Sequence, residues 1–252
     1  MFSTTDYDNL QQIMEESPEK KELLTRLLES QRMEISTISH EIRNPLTLVY
    51  STLQLIETQH PEVLSFRHWD AMHQDIEYMK QLLEELSSYN NGERLTLSDI
   101  NADVFLKTLA LSFASSILDT EIEFTSRIAP NLPVITIDSI KIRQTLLNLL
   151  SNARDAVVSC PDCKHPSITL NASLTNKDTI LQIKITDTGC GISEENLPSI
   201  FEPFVTHKSN GTGLGLAIAR RIITAHQGSI TVTSSLGKGT SFIITLPVQK
   251  NA

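Results

Sequence analysis

The sequence predicts an α + α/β protein: an antiparallel helical hairpin that pairs with a second copy into a four-helix bundle, followed by an α/β sandwich. Three observations predict it. Two long stretches before residue 91 carry apolar residues at alternating steps of four and three, one helix stripe each. After it, short alternating strands are interrupted by helices, the texture of a sheet covered on one face. Between them, Asn90-Asn91-Gly92-Glu93 ends the second helix and marks a boundary. The expected division is an N-terminal segment over 1–17, a hairpin over 18–91 and a second domain over 92–252, which a length of 252 residues accommodates.

Composition narrows the partners. A hydrophobic fraction of 40% is ordinary for a globular core, and a formal net charge of −9 argues against nucleic acid or an anionic membrane. No apolar run approaches about 18 residues, and Met1-Phe2-Ser3-Thr4-Thr5-Asp6 lacks the regions of a signal peptide, so a soluble, cytoplasmic chain with no membrane segment is expected. Cys160-Pro161-Asp162-Cys163, followed by His165, has a C-x-x-C spacing suited to zinc or redox chemistry. A structural zinc site wants four ligands and no second pair stands nearby, so ordinary reduced thiols are expected.

Residues 1–17 hold a short amphipathic stretch around Leu10, Ile13 and Met14. Ser17-Pro18-Glu19 then reads as a helix start: N-cap serine, proline at the first helical position, early acid. Leu24, Leu28, Ile35, Ile38 and Ile42, interrupted by Gln31, keep a near-heptad, coiled-coil-like spacing, and the helix should reach about Thr58. Its stripe continues through Leu46, Val49, Leu53 and Ile56. His40 is off that stripe, roughly 160° around from both Ile38 and Ile42, so its imidazole should face solvent. Pro45 has no N–H for the carbonyl of Glu41 and should bend the helix one turn later. Gln59-His60-Pro61-Glu62 breaks the pattern, and Trp69, Met72, Ile76, Met79, Leu83 and Leu86 rebuild it in a second helix. One hairpin cannot bury both stripes; two can, as a homodimer.

Strands are expected near 94–97, 121–128, 134–137, 167–174, 179–187, 229–234 and 240–246, with helices near 102–118, 139–158 and 213–226. In the helix over 139–158, Ile142, Leu146, Leu150, Ala153 and Val157 form the apolar face, while Asn148, Asn152 and Asp155 share the other at i, i+4 and i+7. Aligned amide and carboxylate oxygens suit a hard, partly hydrated Mg²⁺ bridged to phosphates. In the strand over 179–187, Asp187 falls in phase with Leu181, Ile183 and Ile185. A carboxylate on a buried face needs donors, such as a ligand amine. Asp187-Thr188-Gly189-Cys190-Gly191 follows the pattern D-x-G-x-G, and Phe201-Glu202-Pro203-Phe204 leads towards Lys208. Gly211-Thr212-Gly213-Leu214-Gly215-Leu216 stands directly before a helix, where glycine-exposed N–H groups and the helix N-terminus can cradle phosphate. Neither a P-loop nor the glycine loop and H-R-D set of serine/threonine kinases is present.

With Ser39-His40-Glu41-Ile42-Arg43-Asn44-Pro45, these stretches stand in the order of the H, N, G1, F and G2 boxes, and the sequence resembles the sensor histidine kinases from about Glu22 to Pro247. The resemblance implies a dimerising phosphotransfer hairpin and a Bergerat-type (GHKL) ATP-binding sandwich, with ATP and Mg²⁺ as cofactors. It implies phosphorylation of His40, then transfer to an aspartate of a response-regulator receiver domain; in the mechanism expected here Glu41 takes or orients the proton on the other ring nitrogen. Asn44 stands where relatives use asparagine or threonine to place water for the reverse, phosphatase, activity. By the same resemblance Asn152 is the Mg²⁺ ligand and Asn148 a second contact to metal or phosphate; many relatives carry another residue where Asp155 stands. Asp187 accepts from the adenine amino group and Gly189 and Gly191 let backbone approach the base. Lys208, Gly211, Thr212, Gly213, Leu214 and Gly215 fall to the lid and phosphates, and Phe201 and Phe204 to anchoring one end of the lid.

Related chaperone and topoisomerase ATPases place a glutamate four residues before the metal asparagine to activate water. Asn148 occupies that position here, so a nucleophile other than water is expected. An ATPase and a scaffold with a decayed nucleotide site are the two rival readings.

Overall fold

The computed structural model describes residues 17–161, 163, 165–176, 179–206, 208 and 211–248. The stretch around Leu10, Ile13 and Met14 lies outside them. The chain divides into two compact units, one ending at Asn90 and the other beginning at Asn91.

The first unit is a helical hairpin. Helix α1 (Pro18–Gln59) starts with Pro18 directly after an extended Ser17 and continues through Pro45. It stops where His60 donates its N–H to the Ile56 carbonyl and Pro61 opens a 3-10 turn, Pro61–Ser65. Helix α2 (Trp69–Asn91) returns. Leu46, Leu53, Ile76 and Leu83 bury themselves between the helices, with Tyr50 and Trp69 packed against them. Ile38, Ile42 and Val49 on α1 and Met72 and Met79 on α2 remain exposed, so one hairpin leaves much of both stripes uncovered. The side chains of Leu24, Leu28 and Gln31 lie outside the described ones. Among the described residues no helix is long and apolar enough to cross a membrane.

The second unit is a layered α/β domain. Its elements are β1 (Ser98–Asn101), α3 (Ala102–Ser116), β2 (Glu123–Ile128), β3 (Val134–Ile137), α4 (Ser139–Val158), β4 (Ser167–Thr175), β5 (Ile180–Asp187), α5 (Gly215–Ala225), β6 (Ser229–Ser235) and β7 (Gly239–Pro247). Five strands form a mixed sheet in the order β2-β4-β5-β7-β6, with β2 parallel to β4 and the other pairs antiparallel. β1 and β3 form a separate antiparallel pair.

Alternation decides the core. Leu181, Ile183, Ile185 and Asp187 of β5 face inward, while Gln182, Lys184 and Thr186 stay half-buried on the other side. α4 lies across β4, β5 and β7, with α5 and α3 beside it. Leu146, Leu149 and Leu150 of α4 are fully buried, each contributing about 2 kcal/mol of apolar burial.

One strand stands elsewhere than expected. Residues 94–97 form no strand, and β1 begins at Ser98. The N-cap and first turn of α4 take the backbone groups of Arg94 and Thr96 that a ladder would use. Lys141 Nζ donates to the carbonyls of Asn91 at 2.6 Å, of Gly92 at 3.3 Å, and of Arg94, while Asp138 Oδ2 accepts from Thr96 N at 2.9 Å.

Candidate functional site

His40 is exposed on α1, as its position off the stripe requires. Arg43, one turn on, brings Nη1 to 3.5 Å from His40 Nδ1. The i+3 spacing was the available signal for this neighbour, since such residues share a helix face. Glu41 and Asn44 are exposed on the same helix.

The other candidate residues gather in the second unit around α4. Asp138 caps α4, its Oδ1 accepting from Lys141 N at 3.1 Å, which fixes the start of the helix. The Asp138 N–H donates to Nε2 of His226 at 3.0 Å, and His226 Nδ1 lies 2.7 Å from the Ile222 carbonyl. Burial pushes the His226 imidazole below its ordinary value, in keeping with the neutral ring this pairing needs. Sequence reasoning missed this network, whose partners are 88 positions apart.

On the half-buried side of α4, Lys208 Nζ lies 2.8 Å from Asn152 Oδ1 and 2.8 Å from Asp155 Oδ2. Arg154 reaches the other oxygen of Asp155, Oδ1, with Nη2 at 3.2 Å. The oxygens of Asn152 and Asp155 therefore already hold a cation, and they are donors suited to Mg²⁺. Asn148, one turn earlier, packs against α5: a Cβ at Gly215 would stand 2.8 Å from both Asn148 Oδ1 and Nδ2. Only glycine lets the start of α5 approach that amide so closely.

Asp187 ends β5 in the core, where Gly189 N and Thr240 N both donate to its Oδ1, at 2.8 and 3.2 Å. Among the described residues both of these donors fall on Oδ1, and the chemistry of Oδ2 suits a donor such as an amine. Burial pushes the Asp187 carboxyl above the usual carboxylate range, against the pull of those two donors. Thr240 was invisible as a partner until the β5–β7 pairing set it beside the end of β5. Gly191 turns away with φ +70.

Phe201 packs edge-on against Phe242, with centroids 6.4 Å apart, and Arg220 lies over its ring. Phe204 is exposed, whereas Phe201 is half-buried. Phe204 instead binds through its backbone, its N–H donating to the Gly213 carbonyl at 2.9 Å. Gly213 has φ +70, and a Cβ there would lie 2.5 Å from the Phe204 carbonyl carbon. Gly211 N donates to Lys208 O, Thr212 Oγ1 accepts from Leu214 N, and Leu214 is fully buried. The loop thus delivers Gly215 as the first residue of α5, whose positive end suits an anion. The arrangement pairs an acceptor for an amine, a cation site and an anion cradle in one domain.

Two protein families match the chain: the His Kinase A (phospho-acceptor) domain over residues 30–94, and the Histidine kinase-, DNA gyrase B-, and HSP90-like ATPase over residues 137–250. The chain is 27% identical to the signal transduction histidine-protein kinase AtoS of Escherichia coli (strain K12), over 91% of this chain and 38% of that protein. It is 32% identical to sporulation kinase D of Bacillus subtilis (strain 168), over 87% of this chain and 43% of that protein. The chain thus spans less than half the length of these two relatives. Its fold is similar to the crystal structure of full-length ShkA in complex with AMPPNP, with a TM-score of 0.73 and 25% identity over 87% of this chain and 46% of that one.

Proposed function

The chain belongs to the sensor histidine kinases, whose phospho-acceptor and ATPase domains it carries in order, and from that premise we propose that it phosphorylates its own His40 from ATP and passes the phosphoryl group to an aspartate of a response-regulator receiver domain. The observation that carries the reading is an exposed imidazole within the phospho-acceptor match, in a chain whose ATPase match has Asn148 where a water-activating acid would stand.

In its neutral form the His40 ring offers a nitrogen lone pair. That nitrogen attacks the γ-phosphorus in line, the bond to the β–γ bridging oxygen breaks, and ADP leaves. Glu41 orients or takes the proton of the other ring nitrogen. Asp187 Oδ2 accepts from the adenine amino group, the loop from Gly211 to Gly215 donates backbone N–H groups to phosphate oxygens, and Lys208 exchanges its present partners for the phosphates. Asn152, with Asn148 beside it, would hold Mg²⁺, which would supply charge neutralisation at the phosphates. Asn44, exposed and one turn after His40, positions water for the reverse phosphatase reaction. The uncovered stripes of α1 and α2 support a homodimeric bundle formed by residues 18–91, with 92–252 as the catalytic domain; the compartment proposed for it is the cytoplasm.

The test is incubation with γ-labelled ATP and Mg²⁺ beside His40→Gln. Protein-bound label that is acid-labile, alkali-stable and absent from the variant is expected. ATP binding without label would overturn the kinase reading, and phosphate release independent of His40 would favour an ATPase.

A further inference from the structure

The C-x-x-C segment follows α4 and touches the loop that carries Asp187. α4 ends at Val158, and Cys160 N donates to the Val157 carbonyl at 3.2 Å. Cys163 N then donates to the Cys160 carbonyl at 3.2 Å, closing a four-residue turn from one cysteine to the other. Such a turn holds its end Cα atoms within about 7 Å, which overlaps the roughly 4.4–6.8 Å range of disulfide-linked cysteines. Both cysteines are free and half-buried, so they are within reach of a small oxidant.

Cys163 also touches the nucleotide loop. Its Sγ donates to the Thr188 carbonyl at 3.1 Å and lies 3.4 Å from Thr188 Oγ1. That hydroxyl accepts from Ser167 N at 2.9 Å and donates to the His165 carbonyl at 3.0 Å. Thr188 therefore fastens the segment after the turn to the residue between Asp187 and Gly189. On the far side, Cys190 N donates to the Ala156 carbonyl in the last turn of α4, and the Cys190 carbonyl accepts from Gly237 N at 2.7 Å. Among the described residues no three His, Cys, Asp or Glu side chains converge to hold an ion.

We propose that Cys160 and Cys163 form a reversible dithiol–disulfide site that loosens the loop from Asp187 to Gly191 when oxidised. The co-reactant is a low-molecular-weight disulfide. One cysteine thiolate attacks a sulfur of the small disulfide, releasing one small thiolate and leaving a mixed disulfide; the second cysteine thiolate displaces the other. Two cysteine thiols become one S–S bond, the small disulfide is reduced to two thiols, and the two cysteine protons end on them. The oxidised Cys163 sulfur has no hydrogen to donate, so the Thr188 carbonyl loses that bond, while Thr188 N to the Ser167 carbonyl and Cys190 N to the Ala156 carbonyl remain to hold the loop. The effect on ATP rests on the nucleotide reading above; the effect on the loop does not.

The test poises the full chain in glutathione buffers from fully reduced to fully oxidised and maps disulfides by non-reducing peptide analysis. Amide hydrogen exchange over 187–191 and ATP affinity are then measured. A Cys160–Cys163 bond, faster exchange over 187–191 and ATP binding weakened about fivefold are expected. Cys160→Ser should abolish the Cys160–Cys163 bond while binding ATP as the reduced parent does. No such bond under oxidised glutathione, a Cys163–Cys190 bond in its place, or a Cys160–Cys163 bond with unchanged exchange over 187–191 would each overturn the proposal. Failure of the reduced protein to bind ATP would sink the nucleotide reading instead, with the exchange measurement still deciding this one.

Discussion

The Lys208 ammonium sits 2.8 Å from Asn152 Oδ1, so a cation from the lid segment already occupies the residue that resemblance assigns to the metal. Its second partner, Asp155 Oδ2, is equally close. The ammonium and carboxylate are 46% and 39% exposed, so solvent screens the pair and its loss should cost well under about 1 kcal/mol of stability. The larger effect falls on ligand choice.

If Lys208 serves the γ-phosphate as proposed, Lys208→Met removes a charge that ADP does not require. ATP affinity should fall about tenfold relative to ADP affinity, with thermal stability nearly unchanged. Calorimetric titration with each nucleotide in Mg²⁺ checks this; an equal loss for both would place Lys208 elsewhere.

Asp187 predicts opposite pH responses for binding and folding. The adenine amino group needs an ionised acceptor, so ATP affinity should weaken as pH falls through the carboxyl's raised value, at higher pH than an ordinary carboxylate would allow. For folding, a carboxyl raised in the native state contributes stability that is full below its unfolded value and is lost as pH rises through its native one. Asp187→Asn should bind ATP at least about tenfold more weakly and without this pH dependence, measured by fluorescent-nucleotide titration.

At Gly215 a methyl group would meet both Asn148 amide atoms at 2.8 Å. Gly215→Ala should therefore displace Asn148 and lower autophosphorylation by about tenfold or more, while adding a better helix former to α5. Unchanged kinetics would show that Asn148 yields freely.

His226 must be neutral for Nε2 to accept from Asp138 N. Its value is depressed by burial, so the stability it contributes is present above its unfolded value of about 6.5 and is lost as pH falls through its native one. The melting temperature of the second unit should drop on acidification in that window. His226→Leu should be destabilised by about 1–3 kcal/mol near neutrality and lose that part of the pH dependence.

Val49 and Met79 are 47% and 43% exposed on the hairpin. Val49→Glu with Met79→Glu should weaken the proposed homodimer at least about a hundredfold without unfolding the helices, read by sedimentation and circular dichroism.

Periodicity made most elements legible. Ile142, Leu146 and Leu150 recur as the buried face of α4, and the alternation ending at Asp187 predicted a carboxylate in the core, because both signals lie within one element. What escaped depended on contacts across the chain. Thr240 reaches Asp187 only through strand pairing, Gly215 matters to Asn148 only through helix packing, and Cys163 meets Thr188 from 25 positions away. The misplaced strand over 94–97 has the same origin. Its composition suits a strand, but Lys141 and Asp138 outcompete a ladder for its backbone groups.

Those two side chains also set where a working fragment must be cut. A truncation starting at Ser98 would keep every strand and helix of the sandwich yet delete the carbonyls around Lys141 and the amide at Asp138 Oδ2. A half-buried ammonium would be stranded at the first turn of the helix that carries Asn148 and Asn152. The shortest sound expression boundary lies upstream of Asn91, inside the end of the preceding helix, and a shorter piece should show its defect as weakened nucleotide binding.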